Sequence, residues 1–389
     1  IVLIRKAIIR YRARAQVLRV LHQEHAQRDA DLGMSPKQLH KKLSKNWARA
    51  LKALRKSHLK LRGDPVYVLP WYVVFGKPSS GKSTALKNAK LISPAMELSE
   101  HEKGSTLNLE WYDQAIILDT AGRYAVPDND KRDRGEWTLL LQMLSRHKQK
   151  EPLNGLVLVI TADRLLNNDE EALRAEGQQI RAGINELMER LEIQMPVYLM
   201  VTKCDLVDQF TNWCRYLPEQ SLDQVMGYLC EEPVSDIDKT LDMAFDRILD
   251  RLKELRLLMM ERGEYPDDSL IELPTNMEKM RAGLHAFAQT ALKDNLYQET
   301  PRFRGLYFGS SQQSTGDAAD GELSNRGLFL HELFTRVMPP DRALLSTLPS
   351  AERIRRAIRN YGLSISGAVL ATLLVGMSFA FVNDKASLD

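Results

Sequence analysis

Eight consecutive residues carry the clearest chemistry in this chain. The segment Gly76–Ser83 reads GKPSSGKS and matches the pattern G-x-x-x-x-G-K-[ST]. In this pattern the glycines let the backbone turn its N–H groups towards phosphate oxygens, and the helix that follows adds its positive end. The lysine reaches the β- and γ-phosphates, and the hydroxyl holds Mg²⁺. We therefore predict a phosphate-binding loop with a nucleoside triphosphate, GTP or ATP, and Mg²⁺ as its ligands.

Each position of this loop has an expected role. Lys82 is the predicted catalytic contact to phosphate, and Ser83 is a predicted Mg²⁺ ligand. The residues predicted to contact the nucleotide from the loop and the first helical turn are Gly76, Ser79, Ser80, Gly81, Lys82, Ser83 and Thr84. The alternative is a degenerate loop that no longer binds.

A second motif follows an apolar run, at Leu118-Asp119-Thr120-Ala121-Gly122. The Asp119 carboxylate can bind Mg²⁺ through water, and the Gly122 N–H can face a γ-phosphate. A DxxG pattern alone is weak evidence for a nucleotide site, because the same residues could form an ordinary strand-to-loop turn. Its place 36 residues after Ser83, behind a predicted β-hairpin, gives it weight.

A third motif, Thr202-Lys203-Cys204-Asp205, closes another apolar run. The Asp205 carboxylate can accept hydrogen bonds from the N1–H and N2 amino groups of guanine, a donor pair that adenine lacks. The aliphatic stem of Lys203 can cover the base. With Thr202 these residues form the predicted base site. The alternative for Asp205 is a helix cap.

The elements around these motifs alternate between strand and helix. Such alternation predicts an α/β fold with a mainly parallel sheet and helices on both faces. The predicted strands are 70–75, 106–111, 115–119, 155–161 and 196–202, and the predicted helices are 83–92, 136–147 and 168–191.

Strand signals stop after residue 210. Apolar residues at helical spacing in 235–261 predict a helical subdomain, which we expect to be a docking surface whose deletion disturbs assembly more than nucleotide affinity. Strand pattern returns at 304–310, and short helices are predicted at 326–337 and 350–360. The predicted division is 1–62 basic juxtamembrane helices, 63–210 nucleotide-binding domain, 211–300 helical subdomain, 301–360 return to the sheet and helices leading to the membrane, 361–382 transmembrane helix and 383–389 the start of a periplasmic region.

Charge is unevenly distributed. Residues 1–62 hold 17 Lys or Arg and 3 Asp or Glu, whereas the remainder holds 37 and 48. A basic block needs an anionic neighbour, either nucleic acid or lipid head groups, unless it is simply a solvated helix face. No aromatic platform for stacking bases accompanies these cations, since Trp47 stands alone, and this disfavours nucleic acid.

A membrane span is predicted near the C-terminal end. The 20 residues Leu363–Val382 carry no charge, and at about 1.5 Å per residue they match the thickness of a bilayer core. Arginines precede the run at 353, 355, 356 and 359, which places residues 1–360 mainly in the cytoplasm. The alternative is a buried core helix. Three cysteines without a metal-ligand spacing argue against a disulfide framework and against zinc.

The order of motifs and elements over residues 70–205 resembles the small-GTPase family. The resemblance implies that Thr106, or alternatively Ser105, closes on Mg²⁺ and that Gly309-Ser310-Ser311 backs the base. Arg123 stands where that family often has a glutamine that orients water. Arginine cannot accept a hydrogen bond, so we expect hydrolysis to be slow or to need a partner, unless Arg123 stabilises phosphate charge. The sequence does not decide whether the chain is an enzyme.

A closer resemblance is to the IcmF/TssM family of inner-membrane proteins in bacterial type VI secretion. It rests on the three motifs, on Pro70-Trp71-Tyr72, on Arg304-Gly305-Leu306-Tyr307-Phe308 and on the predicted span. It implies a piece of a longer protein with a preceding pair of spans and a periplasmic region, acting as an oligomeric structural subunit. The implied partners are TssL, TssJ, baseplate components and membrane lipids, with no nucleic acid. The alternative is a membrane-anchored regulatory GTPase outside secretion.

Overall fold

The computed structural model describes residues 36–92, 107–120, 122–125, 131–167, 169–234, 236–261, 269–293, 300–311, 326–348, 372–374 and 376–377. Several predictions concern other residues: the first 35 residues of the basic helices at 1–62, the helix at 350–360 and nearly all of the span at 361–382. Among the residues described, no helix is both long enough and apolar enough to cross a bilayer.

A seven-stranded mixed sheet forms the centre of the described chain, and it confirms the predicted α/β class. Its strands are β1 (Trp71–Phe75), β2 (Leu107–Trp111), β3 (Ile116–Thr120), β4 (Gly155–Thr161), β5 (Pro196–Thr202), β6 (Met226–Leu229) and β7 (Arg302–Phe308). The order across the sheet is β2-β3-β1-β4-β5-β7-β6. The five central strands are parallel, whereas β2 and β6 pair antiparallel at the two edges.

The central strands form where the sequence is almost continuously apolar. Every residue of β1, β3, β4 and β5 is buried. Parallel strands are covered on both faces, so their sequences read as apolar runs rather than as alternating patterns. For that reason the predicted bounds of β4 and β5 are confirmed to the residue.

Helices cover both faces of the sheet. The longer ones among the described residues are α1 (Pro36–Lys56), α2 (Lys82–Asn88), α3 (Lys131–His147), α4 (Glu170–Leu191), α5 (Ile237–Glu261), α6 (Ser269–Glu278) and α7 (Arg281–Ala291). On one face the Phe75 ring lies 5.3 Å from Trp137 of α3. On the other, Tyr72, Val74 and Tyr198 pack in one core with α2 and residues 330–338.

The region after residue 210 differs from its prediction in one respect. The expectation that strands stop there is wrong, because β6 lies in it and pairs with β7. β6 is only four residues long and half-buried, so its pattern is too short to separate from loop. The helices there also contact the main fold: Phe245 of α5 lies 5.8 Å from Phe308 of β7. The domain boundaries themselves stay a prediction.

The segment that follows β7 also differs from its prediction. Residues 326–337 were expected to be one short helix, but Gly327–Leu328 pairs antiparallel with Ser310–Ser311 before a π-helix at Leu333–Val337. A 3₁₀-helix at Pro339–Leu344 comes next. Pairing with a distant strand, rather than local preference, determines the first of these elements. The compact unit containing the sheet spans Leu21–Ser346, and almost all of a second unit, Ile1–Val20 with Thr347–Asp389, lies outside the described residues.

Candidate nucleotide-binding site

The loop between β1 and α2 needs glycine at two positions. A side chain at Gly76 would place its Cβ 2.5 Å from the Val159 carbonyl oxygen of β4, so only glycine fits against the neighbouring strand. Gly81 has φ +79°, in the left-handed region that glycine adopts without cost. Ser79 adopts a similar φ of +59° without that freedom, and it marks local strain in the loop.

Lys82 is held inside this loop. Its Nζ donates to the carbonyl oxygens of Gly76 at 2.8 Å and Lys77 at 2.6 Å, and to Ser80 Oγ at 3.2 Å. The side chain is 5% exposed. Burial lowers the pKa of Lys82 to about 8, although the nearby Asp119 carboxylate opposes the shift. An ammonium group so placed is available to an anion entering the loop.

The first two motifs meet through a short hydrogen bond. Ser83 Oγ donates to Asp119 Oδ2 at 2.5 Å. Parallel pairing of β1 with β3 places Val74 opposite Asp119, and this register carries the carboxylate to the start of α2. Thr120 Oγ1 fixes the strand end by donating to the Val74 carbonyl oxygen at 2.6 Å. Ser83 and Asp119, the two residues predicted to bind Mg²⁺, are therefore adjacent.

The glycine of the second motif lies directly against the loop. A Cβ on Gly122 would fall 2.0 Å from the Pro78 nitrogen and 2.4 Å from the Lys77 carbonyl carbon. Gly122 begins the short helix Gly122–Ala125, which also contains Arg123. The side chain of Arg123 and the whole of Thr106 lie outside what the structure describes, so their predicted roles stay predictions.

The third motif lies on the other side of the loop. Thr202 Oγ1 donates to the Ser80 carbonyl oxygen at 2.7 Å. Lys203 has a left-handed backbone with φ +56°, and its Cγ lies 3.9 Å from the Cβ position of Gly81. The stem of this lysine is thus beside the phosphate loop, as a base-covering role requires.

The segment after β7 contacts both the third motif and α2. Ser310 Oγ donates to Asp205 Oδ1, and the Cys204 N–H donates to the Gly309 carbonyl oxygen at 3.4 Å. Ser311 Oγ donates to the carbonyl oxygen of Thr84 at 3.0 Å. The segment Gly309–Ser311, expected from the small-GTPase resemblance to back the base, is therefore adjacent to Asp205.

One buried residue at this site was not predicted. Glu176 of α4 is 3% exposed, and its Oε2 lies 3.0 Å from Lys77 Nζ and 2.8 Å from Arg164 Nη2. It therefore holds the second residue of the phosphate loop to a helix about a hundred residues away in sequence. In the sequence Glu176 is one of several acidic residues on α4, and no local signal separates it from the exposed ones.

The N-terminal domain family of IcmF-related proteins matches residues 130–366. This match covers more than half of the chain. The chain belongs to the IcmF/TssM family. The resemblance expected from the sequence is thereby confirmed.

A curated relative and two solved structures are similar to this IcmF/TssM chain. "Type VI secretion system component TssM1" of Pseudomonas aeruginosa is 32% identical over 350 residues, which are 82% of this chain and 31% of the relative. The chain thus spans about a third of that relative's length.

The two structures are more distant. The SRb-GTP/SRX complex of the signal recognition particle receptor from Chaetomium thermophilum is 18% identical over 36% of this chain and 71% of that chain, with a TM-score of 0.24. A GDP-bound point mutant of S. thermophilus NFeoB is 13% identical over 57% of this chain and 99% of that chain, with a TM-score of 0.23. TM-scores this low give no support to a fold or a function.

Proposed function

We propose that this chain is part of a structural subunit of the type VI secretion membrane complex in the bacterial inner membrane, and that its described fold binds a nucleoside triphosphate. Family membership and the TssM1 relative support the first part. In this proposal the chain works in an oligomeric assembly with TssL and TssJ, and baseplate components dock on the cytoplasmic side. The helices of 211–300 contribute to that docking.

The contact between Ser83 and Asp119 carries the nucleotide part of the proposal. Three motifs that are far apart in sequence meet around one loop, through Ser83–Asp119 at 2.5 Å and Thr202–Ser80 at 2.7 Å. A buried lysine, a hydroxyl–carboxylate pair and a second carboxylate gather at the carboxyl ends of these strands. In the proposed site the lysine binds phosphate, the hydroxyl–carboxylate pair binds Mg²⁺ and the second carboxylate recognises the base.

The residues present fit Mg²⁺. Ser83 and Asp119 offer hard oxygen donors next to each other, and Mg²⁺ bound with a nucleotide usually takes only one or two protein oxygens, with phosphate oxygens and waters completing its shell. The described residues contain no group of three or more His, Cys, Asp or Glu arranged for a metal, which suits this mode rather than an all-protein site. Bound there, Mg²⁺ would neutralise charge on the β- and γ-phosphates. Thr106 is proposed as a further ligand.

Base selection and the rate of hydrolysis are each assigned to one residue in this proposal. Asp205, next to Ser310 and preceded by Lys203, is proposed to favour guanine over adenine. Arg123 is proposed to make hydrolysis slow or dependent on a partner, since it cannot accept a hydrogen bond from the attacking water. The nucleotide would then act as a bound switch more than as a rapidly consumed substrate.

Nucleotide titration of the purified chain tests this proposal. We expect saturable, Mg²⁺-dependent binding of GTP that is tighter than that of ATP, and loss of measurable affinity in Lys82→Ala, because the ammonium contact to phosphate is gone. Lys87→Ala, an exposed lysine on the same helix, is the matched control and is expected to bind like the unchanged chain. Thermal unfolding of each variant checks that the fold is kept.

Two results would contradict the proposal of nucleotide binding. Equal affinity in Lys82→Ala and the unchanged chain would remove the loop as the binding site. Absence of binding to either nucleotide would leave a structural scaffold without a nucleotide role.

A further inference from the structure

Helix α1 has one buried apolar face and one basic face. Trp47, Leu51 and Leu54 are 3–5% exposed and lie on the same side of the helix, where Trp47 contacts Trp71 with ring centroids 5.7 Å apart. The exposed cations around the rest of the helix are Lys41, Lys45, Arg49, Lys52, Arg55 and Lys56. These six residues, called the basic stripe below, extend for about 22 Å at the rise of an α-helix.

The basic stripe has no counter-charges of its own. Residues 36–62 include no Asp or Glu. Within the described part of the chain, no carboxylate lies within ion-pair distance of any of the six cations. Some exposed arginines on other helices of this fold do have such partners, as Arg174 has in Glu170 and Arg251 in Glu254. A row of unpaired like charges repels itself unless an anionic surface lies against it.

An exposed apolar side chain lies in the 3₁₀-helix His58–Arg62 that follows α1. Leu61 is 91% exposed and stands between the exposed Lys60 and Arg62. An aliphatic side chain among cations is the arrangement with which a surface helix enters the head-group layer.

We propose that the basic stripe and Leu61 form a docking surface for the anionic head groups of a phospholipid bilayer. The single aromatic residue of α1 cannot stack on a base, because Trp47 is buried between Trp71 and His147. Nucleic-acid surfaces that bind single strands combine cations with exposed rings, which this one lacks. A straight stripe with one exposed aliphatic group fits a flat lipid surface instead.

This surface lies at the opposite end of β1 from the nucleotide loop. Trp47 packs on Trp71, the first residue of the strand, whereas the loop follows Phe75, its last residue. Lipid docking therefore leaves the loop uncovered. The inference rests on the proposed membrane location of the subunit and is independent of nucleotide binding.

A fluorescent label on the stripe tests the proposal in the full chain. Ala48 is exposed among the cations, and the native cysteines Cys204, Cys214 and Cys230 are buried, so Ala48→Cys can be labelled selectively. The labelled chain is reconstituted with phosphatidylcholine nanodiscs that contain increasing fractions of phosphatidylglycerol and a head-group quencher. We expect quenching to rise with the phosphatidylglycerol fraction and to fall as salt is added.

Charge reversal identifies the residues responsible. Lys45→Glu, Arg49→Glu and Lys52→Glu together are expected to weaken the surface association by at least about a hundredfold and to abolish the lipid-dependent quenching. The matched control reverses three exposed cations of α5, Arg247→Glu, Arg251→Glu and Lys253→Glu, and is expected to retain it. Leu61→Ser, which changes no charge, is expected to reduce quenching in part.

Other outcomes would overturn the proposal. Quenching that does not change with the phosphatidylglycerol fraction would show that the stripe is a solvated face. Equal quenching in the unchanged chain and in the triple charge-reversal variant of the stripe would show the same. Salt-dependent binding of a labelled RNA or DNA duplex that only the stripe variant loses, without lipid-dependent quenching, would make it a nucleic-acid surface. GTP titration of the same variants is expected to give unchanged affinity, and this separates failure here from failure of the nucleotide proposal.

Discussion

Asp205 is the residue proposed to select the base. Its carboxylate accepts from Ser310 Oγ and lies in the short helix that follows β5. We expect Asp205→Asn to weaken GTP binding while leaving ATP binding nearly unchanged, because an amide presents a donor towards the guanine N1–H. The preference for GTP should fall by about tenfold or more, since hydrogen bonds to charged groups are worth about 1.5–3 kcal/mol. Competition titration with both nucleotides measures the ratio of GTP affinity to ATP affinity.

A matched substitution separates base reading from local structure. Asp208→Asn changes a nearby exposed carboxylate and is expected to leave both affinities unchanged. Identical GTP-to-ATP ratios in Asp205→Asn and the unchanged chain would mean that Asp205 does not read the base.

A second residue, Lys148, gives the fold a pH dependence. It is fully buried, and its Nζ donates to Asn154 Oδ1 at 3.1 Å and to the Glu151 carbonyl oxygen. Burial lowers the pKa of Lys148 from 10.5 to about 7, with Glu151 opposing and Arg342 reinforcing the shift. Between those two values the unfolded chain binds a proton that the folded chain lacks. The free energy of unfolding therefore rises with pH in that range, by up to about 1.4 kcal/mol per unit.

Lys148→Met should flatten this dependence. Urea unfolding of the variant between about pH 7 and 10 is expected to give a smaller slope than in the unchanged chain. Lys150→Met, an exposed neighbour, should keep the full slope. Parallel curves for both variants would indicate that Lys148 keeps an ordinary pKa in the fold.

At the scale of elements, a buried ion pair attaches the 3₁₀-helix Pro339–Leu344 to the sheet. Arg304 of β7 donates through Nε and Nη2 to the two carboxylate oxygens of Asp341, at 2.6 and 2.8 Å, and Tyr198 of β5 donates to the same carboxylate at 2.8 Å. Tyr72 of β1 donates to the Met338 carbonyl oxygen at 2.6 Å. Three strands thus hold the segment that leads to the C-terminal part of the chain.

Breaking this pair should cost far more than breaking an exposed one. Asp341→Ala leaves the Arg304 guanidinium buried without its partner and is expected to lower the free energy of unfolding by about 3–5 kcal/mol. Asp250→Ala, which removes an exposed pair with Lys253, should cost about 0.5 kcal/mol or less. Urea unfolding compares them. Similar losses in the two variants would show that the segment is not held through Asp341.

At the scale of the whole molecule, the helical region 211–300 packs against the part of the fold that carries the candidate site. The Cβ position of Gly177 in α4 lies 2.0 Å from Thr290 Oγ1 and 2.6 Å from the Phe287 carbonyl oxygen of α7, so the two helices cross in close contact. β6 forms the edge of the common sheet. Removing the region would uncover α4 and the β7 edge of the sheet.

Deletion of 211–300 should therefore unfold the chain. We expect loss of cooperative thermal unfolding, followed by circular dichroism, together with loss of nucleotide binding. The helical spacing in 235–261 led to a different expectation, that deletion disturbs assembly more than nucleotide affinity. A deleted chain that still unfolds cooperatively and binds GTP would support the sequence-based division at residue 211. Docking by this region is better tested with exposed point substitutions on α5.

The parallel core of the sheet and the three motifs that meet at the candidate site could be predicted from the sequence alone. Strands such as Gly155–Thr161 are buried on both faces, so their apolar composition reveals them. Glycines, Lys82 and Ser83 are recognisable because phosphate chemistry requires those residue types at fixed spacing. These features are local, and local features can be read from one segment of chain.

Features that depend on distant partners became visible only in the folded chain. β6 is a strand because β7 offers an unpaired edge, and Glu176 reaches the phosphate loop because α4 packs over it. The same holds for Asp341, whose role exists only opposite Arg304. Charge and hydrophobic pattern specify which face of an element is buried, but the residue that it meets there depends on how the whole chain folds back.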